Sequence, residues 1–369
     1  MTVRPPAEVG APLEEIDTPA LVVDVEAYER NLDRMVASLA GTPVRLRGHA
    51  KTHKSPVVAL HQVARGAVGA CCQKVSEAEA MVYGGVRNVL VSNEIVGARK
   101  IARLVALARE ADVAVCVDDA GNARDLDLAA AAAGIRLPVL VEIDIGMARC
   151  GVPPGPPAVA LARAVAGHRH LAFAGLQAYH GRAQHIVDEA QRRATMEAAI
   201  AEVRHTVDLL KREGLACPIV SGAGTGTYRY EAASGVYTEV QAGSYCFMDV
   251  EYGLVEGFPR EFEHALFVVA TVMSRPAPDR AVVDAGLKAL SVDKGMPRVW
   301  QRPGLEYQRA SDEHGVLRVA DGERVAIGDR VWLVPGHCDP TINLYDWYVA
   351  VRGGRVAALW PITARGAVL

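Results

Sequence analysis

The chain has 369 residues with a formal net charge of −3, and 50% of its residues are hydrophobic. This length exceeds that of one simple domain, so we expect one large domain and one smaller domain with a sizeable core. The charge indicates neither a nucleic-acid partner nor a membrane partner, and no apolar run reaches the length of a membrane span. Because the N-terminal residues also lack the apolar core of a secretion signal, we expect a cytoplasmic protein.

The first predicted elements are a strand at Ala20–Asp24 and a helix at Val25–Ala40. From about Val44 to Gly243, short apolar runs then alternate with amphipathic, Ala-rich stretches, as in parallel strands separated by helices. The predicted strands are 44–47, 68–72, 88–92, 113–117, 138–143, 172–178, 218–221 and 238–241. The predicted helices between them are 55–64, 76–83, 98–111, 120–133, 157–166 and 187–213. Eight such strands favour a (β/α)8 TIM-type barrel over an open doubly wound sheet, and the strand at Ala20–Asp24 is placed outside the barrel.

The sequence changes character after about Pro259, where short strand-like runs are separated by Gly-rich turns and no long helix is predicted. The predicted strands are 267–275, 280–284, 315–319, 330–334, 347–352 and 355–360. We expect a β domain that the N-terminal strand joins. The expected boundaries are 25–255 for the barrel domain and 256–369, together with 1–24, for the β domain.

Seven cysteines are present and none is spaced as Cys-x-x-Cys. An odd number without that spacing argues against a disulfide framework and against a structural zinc site. Most of the cysteines lie in apolar runs, so we expect buried free thiols at all except Cys338, which lies in a polar segment.

The first segment with a chemical interpretation is 49–54, which carries Lys51 and directly follows the first barrel strand. The C-terminal ends of barrel strands form the catalytic face. A partly desolvated lysine at that face has a lowered pKa and is able to form a Schiff base. A solvated basic loop is the alternative.

Two Gly-rich and hydroxyl-rich segments follow the seventh and eighth barrel strands, and they indicate a phosphate site. Their candidate residues are Ser221, Gly222, Gly224, Thr225, Gly226, Gly243, Ser244 and Tyr245. Barrel closure makes the ends of strands one, seven and eight neighbours. A reactive lysine beside phosphate donors predicts a phosphate-bearing cofactor that forms an imine, which is pyridoxal 5′-phosphate (PLP).

The segment 336–341 lies in the predicted β domain and contains His337 and Asp339. If this segment is extended, these two side chains lie on one side and Cys338 lies on the other. An imidazole with a carboxylate suits Mn²⁺, which we take as the first candidate, or Mg²⁺ or Zn²⁺. A polar turn without metal is the alternative.

Six blocks of the sequence together resemble the D-threonine aldolase and D-serine dehydratase family, whose barrel is similar to that of alanine racemase (PLP fold type III). The blocks are 17–20, 49–54, 142–151, 221–227, 243–249 and 336–341. They span nearly the whole chain in the family's order. The resemblance implies the alanine racemase-like fold, PLP, a divalent metal and a homodimer.

The resemblance also implies roles for single residues. Lys51 matches the lysine that binds PLP, and Arg149 matches an arginine that contacts the ring hydroxyl. Tyr179 lies where the family places a group against the ring, and His185 matches the general base. Gln241 stands where alanine racemases carry an arginine that faces the pyridine nitrogen, so that contact differs here.

His337 and Asp339 match the family's metal pair. The dehydratase branch carries His-x-Cys at this point, whereas this chain has Asp339 and carries its cysteine one place earlier, at Cys338. The resemblance therefore favours retro-aldol cleavage of D-threonine and other β-hydroxy-D-amino acids to glycine and an aldehyde, a lyase reaction. A β-hydroxy-D-amino-acid dehydratase, a racemase-like enzyme and a non-catalytic PLP-binding protein are the alternatives.

Overall fold

The structure is a computed structural model in which residues 4–369 are described. The chain divides into two compact units. The barrel unit comprises residues 35–51, 56–243 and 367–369, and the β unit comprises the described residues up to 34 together with 52–55 and 244–366. The chain thus leaves the barrel unit directly after Lys51 and again directly after Gly243. The functional boundaries at 25–255 and 256–369 stay a prediction.

The barrel unit is built on one parallel sheet whose strands follow one another in chain order. Its strands are Arg45–Leu46, Gly48–His49, Ala70–Cys72, Asn88–Glu94, Asp112–Val117, Leu137–Glu142, Leu171–Ala178, Ile219–Gly222 and Glu239–Val240. The first two are successive pieces of one segment. Arg45–Leu46 pairs with Glu239–Val240 and Gly48–His49 pairs with Ala70–Cys72, so the sheet closes on itself. The eight-stranded barrel predicted from the sequence is therefore confirmed.

The barrel strands are apolar along their length because a parallel sheet is covered on both faces. Val139, Leu140 and Val141, for example, are all fully buried. The helices of the unit are Met35–Leu39 as the end of Val25–Leu39, Ala50–Lys51 as the start of Ala50–His53, and then Pro56–Ala64, Val75–Tyr83, Ala98–Leu107, Ala120–Ala133, Pro156–Gly167, Glu189–Arg212 and Tyr228–Ala233.

Side-chain caps set the starts of two of these helices. Asp119 accepts the backbone N–H of Asn122 at 2.8 Å, and Asp188 accepts that of Gln191 at 2.7 Å. Carboxylates at these positions satisfy N–H groups that the first helical turn leaves open. The helix that begins after Asp119 ends at Gly134, whose φ of 67° favours glycine.

The β unit contains a nine-stranded sheet. Its strands are Ala20–Asp24, Leu266–Ala277, Arg280–Val283, Arg298–Val299, Leu305–Ala310, Gly315–Val319, Arg330–Val334, Trp347–Arg352 and Arg355–Pro361. Ala20–Asp24 pairs antiparallel with Leu266–Ala277 and parallel with Trp347–Arg352. The N-terminal strand thus belongs to the β sheet, as predicted. The unit's remaining helices are short: Leu13–Glu15, Ser244–Cys246, Val250–Leu254, Phe258–Glu261 and Cys338–Ile342.

Two expectations require correction. The segment after His337 is not extended, because a helix begins at Cys338 and runs to Ile342. The carboxylate of Asp249 accepts the Cys338 N–H at 2.9 Å, and Thr341 Oγ1 donates to the His337 carbonyl at 2.8 Å, so the chain turns here.

The cysteines are all free thiols, as predicted, but their burial differs from the expectation. Cys150 and Cys217 are only half-buried, and each lies in a loop between a helix and a strand. Cys338 is fully buried. Within residues 4–369, no helix is both long and apolar enough to cross a membrane.

Candidate active site

Lys51 lies in the short helix Ala50–His53, which directly follows the barrel strand Gly48–His49. Its backbone N–H donates to His49 Nδ1 at 3.3 Å, and His49 Nε2 lies 3.1 Å from Gln73 Nε2. Gln73 in turn donates to Ser92 Oγ at 2.9 Å. These contacts tie the lysine segment to the ends of the next two barrel strands. The side chain of Lys51 is half-buried at the catalytic face.

Arg149 and Tyr179 come together at the same end of the barrel. The guanidinium carbon of Arg149 lies 5.6 Å from the centroid of the Tyr179 ring, within the range of a cation–π contact. Arg149 also lies 3.8 Å from the carboxyl group of Glu142, the last residue of its strand. Burial raises the pKa of Glu142, and the neighbouring Glu94 carboxylate raises it further. Arg149 is therefore held between an aromatic face and a buried acid.

The carboxyl groups of Glu94 and Asp118 and the thiol of Cys150 lie within 4.8 Å of one another. Asp118 accepts the backbone N–H of Gly151 at 3.0 Å. No spacing in the sequence indicates this cluster, because its members lie at or beyond the ends of three different strands. Its contacts fix the loop that carries Arg149.

The two histidines after the sixth barrel strand differ in their surroundings. His180 is buried, its Nδ1 accepts the Ala183 N–H at 3.3 Å, and burial lowers its pKa. His185 is half-buried and ends the turn Arg182–His185. His180 thus supports the turn, and His185 is its last, half-buried residue.

The Gly-rich loop 221–227 packs closely on Gln184, next to His185. A Cβ on Gly224 would lie 2.5 Å from Gln184 Oε1, and one on Gly226 would lie 2.2 Å from the Gln184 carbonyl oxygen. Gln184 Oε1 also accepts the Gly226 N–H at 3.0 Å. Two of the loop's glycines are therefore required by close packing, which the sequence analysis did not foresee.

The same loop continues into a buried hydrogen-bond chain. Gln184 Nε2 donates to Thr227 Oγ1 at 2.8 Å, and Thr227 donates to Glu231 Oε1 at 2.8 Å. Glu231 is fully buried, and its burial raises the pKa of its carboxyl group to about 7. The N–H groups of Gly226 and Thr227 are already bonded within the protein, so any backbone donor that this loop offers to a ligand lies within 222–225.

Gln241 belongs to a buried network inside the barrel. Its Nε2 donates to Ser221 Oγ and to Gln177 Oε1, both at 2.8 Å. Ser221 donates to Glu239, which forms a bidentate ion pair with Arg47 at 2.8 Å. A paired carboxylate only accepts, so the direction of each bond is fixed, and Gln241 must present its amide nitrogen to Ser221. The network holds the Gln241 side chain in one orientation.

Gly243 is the last barrel-unit residue before the chain enters the β unit at Ser244. Ser244 and Tyr245 lie in the short helix Ser244–Cys246 and are buried. The Ser244 carbonyl accepts the N–H groups of Phe247 and Met248. Tyr245 packs on Phe262, with 5.5 Å between ring centroids.

His337 and Asp339 lie in the β unit, and each is partly exposed. His337 Nδ1 lies 2.9 Å from the Asp293 carboxylate. Asp293 therefore orients the imidazole and leaves Nε2 as the nitrogen open to a ligand. Asp249, which holds the Cys338 N–H, fixes the backbone between the two candidate ligands.

Sequence analysis did not identify Asp293, which is 44 residues before His337. No spacing rule connects the two residues. Asp249 belongs to the segment 243–249, one of the six blocks that resemble the family, but the sequence assigned it no role of its own.

Comparison with protein families and known proteins gives a consistent result. The family model described as Alanine racemase, N-terminal domain matches residues 23–251, and a serine dehydratase domain model matches residues 265–351. The chain is 48% identical to 3-hydroxy-D-aspartate aldolase of Paracoccus denitrificans, over 98% of this chain and 95% of the relative. It is also 48% identical to D-threonine aldolase of an Arthrobacter species, over 98% of this chain and 96% of the relative.

Among solved structures, D-threonine aldolase from Filomicrobium marinum superposes with a TM-score of 0.97 at 50% identity, covering 99% of this chain and 100% of that chain. A D-threo-3-hydroxyaspartate dehydratase of a Delftia species is more distant, at 30% identity over 94% of this chain and 97% of the relative. The resemblance found in the sequence is thus confirmed. The chain belongs to the D-threonine aldolase and D-serine dehydratase family, alanine racemase-like lyases for which PLP and a divalent metal are the implied cofactors.

Proposed function

We propose that this protein cleaves D-threonine and other β-hydroxy-D-amino acids to glycine and an aldehyde, with PLP bound by the barrel unit and a divalent cation bound by the β unit. The observation that carries the proposal is the pair His337 and Asp339, with the imidazole oriented by Asp293 at 2.9 Å. A carboxylate in place of a thiolate makes this a harder ligand set, which suits Mn²⁺ or Mg²⁺.

The residues of the barrel unit fit PLP. Lys51 stands at the end of a barrel strand, and Arg149 and Tyr179 form a cation–π pair beyond the ends of two others. We assign Lys51 as the covalent attachment point, and Arg149 and Tyr179 as the groups that position the ring. We assign Gln241 as the uncharged neighbour of the ring nitrogen. Both of its amide hydrogens are donated to Ser221 and Gln177, so only its Oε1 is open to the ring.

For the phosphate we propose the loop residues Ser221, Gly222, Gly224, Thr225 and Gly226 with Gly243, Ser244 and Tyr245. Within the loop, residues 222–225 supply the backbone donors, because Gly226 N–H is bonded to Gln184. The role of Gly226 is then to let the loop approach Gln184 closely.

When bound, PLP supplies an electron sink for charge at Cα, and the cation lowers the pKa of the β-hydroxyl group. The chain's own residues perform the remaining tasks. Lys51 would hold the cofactor covalently, and the substrate amine would replace it there. His185 accepts the proton of the β-hydroxyl oxygen as a general base. Asp293 keeps His337 in one orientation throughout.

The dehydratase reaction is the second candidate, because it uses the same cofactors but expels the hydroxyl group. The metal pair disfavours it, since the dehydratase branch has a cysteine where this chain has Asp339. A racemase-like enzyme or a non-catalytic PLP-binding protein has no use for a metal pair. We further propose a cytoplasmic homodimer that uses Mn²⁺ and has a small-molecule substrate as its partner.

Product analysis tests the proposal directly. The protein is incubated with D-threonine, PLP and Mn²⁺, and we expect acetaldehyde and glycine in equal amounts. Formation of 2-oxobutanoate and ammonia would instead establish a dehydratase. Chelation of the metal should abolish cleavage while the absorbance of bound PLP stays, and His337→Ala should behave as the chelated enzyme does.

A further inference from the structure

His53 is a fully buried residue to which the proposed function assigns no task. It is the last residue of the helix Ala50–His53, two positions after Lys51, and it belongs to the β unit. Its backbone is held firmly, because Tyr348 donates its hydroxyl to the His53 carbonyl at 2.7 Å. The next residue but one, Ser55, donates to the Pro361 carbonyl at 2.7 Å. The backbone on either side of the buried imidazole is therefore held in place.

The hydrogen bonds decide which ring nitrogen of His53 carries the proton. The backbone N–H of Ser55 donates to His53 Nδ1 at 3.2 Å, so Nδ1 must present its lone pair. The proton of the neutral ring is then on Nε2, by assignment from this hydrogen-bond pattern. Within residues 4–369, no acceptor lies within hydrogen-bond distance of that nitrogen. His53 thus holds a buried N–H donor that has no acceptor in the protein, an arrangement that native structures rarely tolerate.

The surroundings of this donor indicate where its acceptor comes from. Burial is the largest influence on the His53 ring and lowers its pKa, and the charge of the Asp339 carboxylate acts in the opposite direction. Asp339 is one of the two proposed metal ligands and lies in the β unit together with His337 and His53. A cation with two protein ligands keeps further positions for oxygen ligands such as water. Such an oxygen is an acceptor that is present only when the metal is bound.

We infer that His53 is a positioning residue of the metal centre, and that its Nε2–H donates to a water oxygen coordinated to the cation held by His337 and Asp339. The inference rests on the proposed metal ligands. The tautomer excludes His53 as a third ligand, because a metal-binding nitrogen must offer a lone pair. The donor orders the oxygen position that a substrate hydroxyl group later occupies.

Two substitutions separate a hydrogen-bond role from a packing role. His53→Gln keeps a side-chain N–H donor near the position of Nε2, and His53→Leu fills the space without a donor. Mn²⁺ affinity is measured for the PLP-loaded enzyme by chelator competition and by the electron paramagnetic resonance signal of free Mn²⁺. We expect His53→Leu to weaken Mn²⁺ binding by about 10- to 100-fold. We expect a smaller loss in His53→Gln and unchanged PLP absorbance in both.

Thermal unfolding distinguishes the two roles independently. In metal-free protein, His53→Leu removes the unsatisfied Nε2–H but also the acceptor of the Ser55 N–H, so its melting temperature should stay close to that of the wild type. Added Mn²⁺ should raise the melting temperature less in His53→Leu than in the wild type. Equal destabilisation with and without metal, together with wild-type affinity, would overturn the inference in favour of a packing role.

The wild type offers a test that does not depend on the folding of a variant. In ¹⁵N-histidine-labelled enzyme, we expect the His53 Nε2–H signal without metal and a shift of that signal on addition of Mg²⁺. A proton on Nδ1, or no response to metal, would disprove the inference. His337→Ala provides a separate control. If His337→Ala retains wild-type Mn²⁺ affinity, the proposed metal ligands themselves are wrong. If His337→Ala loses Mn²⁺ affinity but His53→Leu does not, only the role of His53 is refuted.

Discussion

Lys51 is the residue on which the assignment of the cofactor depends. It stands at the end of a barrel strand, with its backbone tied to His49 at 3.3 Å. Borohydride reduction of the PLP-loaded enzyme, followed by peptide mapping, should place the reduced cofactor on Lys51. Lys54 is the nearest alternative in sequence, and Lys288 lies in an exposed ion pair with Glu313. Label on either of them would contradict the assignment.

Asp293 gives a second prediction for a single residue. Its carboxylate lies 2.9 Å from His337 Nδ1, and replacing it by asparagine removes the charge that orients and strengthens the metal-binding imidazole. We expect Asp293→Asn to reduce Mn²⁺ affinity by about 10- to 100-fold. Asp321→Asn, an exposed aspartate of the same unit, is the matched control and should bind Mn²⁺ as the wild type does. Equal affinity of both variants would show that Asp293 does not support the site.

Among single residues, the sequence predicted those candidates that lie close to one another, or close to a predicted strand, along the chain. His337 and Asp339 are two positions apart, and Lys51 directly follows a predicted strand. Three other contacts join residues that are far apart in the chain. They are the pair of Asp293 with His337, the cluster of Glu94 with Asp118, and the hydrogen bond of the Cys338 N–H to Asp249. A single sequence carries no record of such pairs, so only the structure identifies them.

The loop 221–227 and the turn 182–185 act as one packed element. A Cβ on Gly226 would lie 2.2 Å from the backbone carbonyl oxygen of Gln184, which has no flexible end to move aside. Gly226→Ala should therefore separate the loop from the turn, destabilise the protein by about 1–3 kcal/mol and weaken PLP binding. Urea unfolding and a PLP absorbance titration measure the two effects.

Gly167→Ala is the control for that experiment, because a Cβ at Gly167 meets nothing within 4 Å and the residue ends a helix. It should leave both the free energy of unfolding and the PLP affinity unchanged or slightly improved. If Gly226→Ala also unfolds and binds PLP as the wild type does, the loop does not depend on this contact.

The bounds of longer helices and strands were predicted more accurately than those of short ones. The helix 120–133 and the strands 315–319, 330–334 and 347–352 have the predicted bounds, because their apolar periodicity extends over several residues. The helices Tyr228–Ala233 and Cys338–Ile342 were not predicted, since one or two turns are too short to show a period. The strand Arg298–Val299 was also missed because it has only two residues.

For the whole molecule, the decisive prediction was closure of the barrel. Alternation of strands and helices gave the number of strands, and the pairing of both ends of the sheet with the segment 45–49 confirms closure. The alternation of strands and helices does not predict the buried polar network of Arg47, Glu239, Ser221 and Gln241 inside that barrel. The ion pair and the hydrogen bonds of this network form only where the first, seventh and eighth strands meet, and these strands meet only when the barrel closes.

The stability of the whole protein should depend on pH through Glu231. Burial raises the pKa of this carboxyl group from 4.5 to about 7. As the pH rises above 4.5, the unfolded chain loses the proton while the folded protein still retains it. The folded state therefore loses stability as the pH rises from about 4.5 to about 7, and the loss is complete above the folded pKa. The difference between the two pKa values corresponds to about 3 kcal/mol.

Glu231→Gln removes the titrating group but keeps an acceptor oxygen for the Thr227 hydroxyl, which donates to Glu231 at 2.8 Å. We expect the free energy of unfolding of the variant to fall less between pH 5 and pH 8 than that of the wild type. Urea unfolding of both proteins at several pH values, without added cofactor, gives the comparison. Other buried carboxyl groups with raised pKa values, such as Glu142, contribute equally to both proteins and cancel in the difference. Parallel pH profiles would mean that Glu231 is ionised in the folded protein, and that the buried chain from Gln184 through Thr227 ends on a carboxylate rather than on an acid.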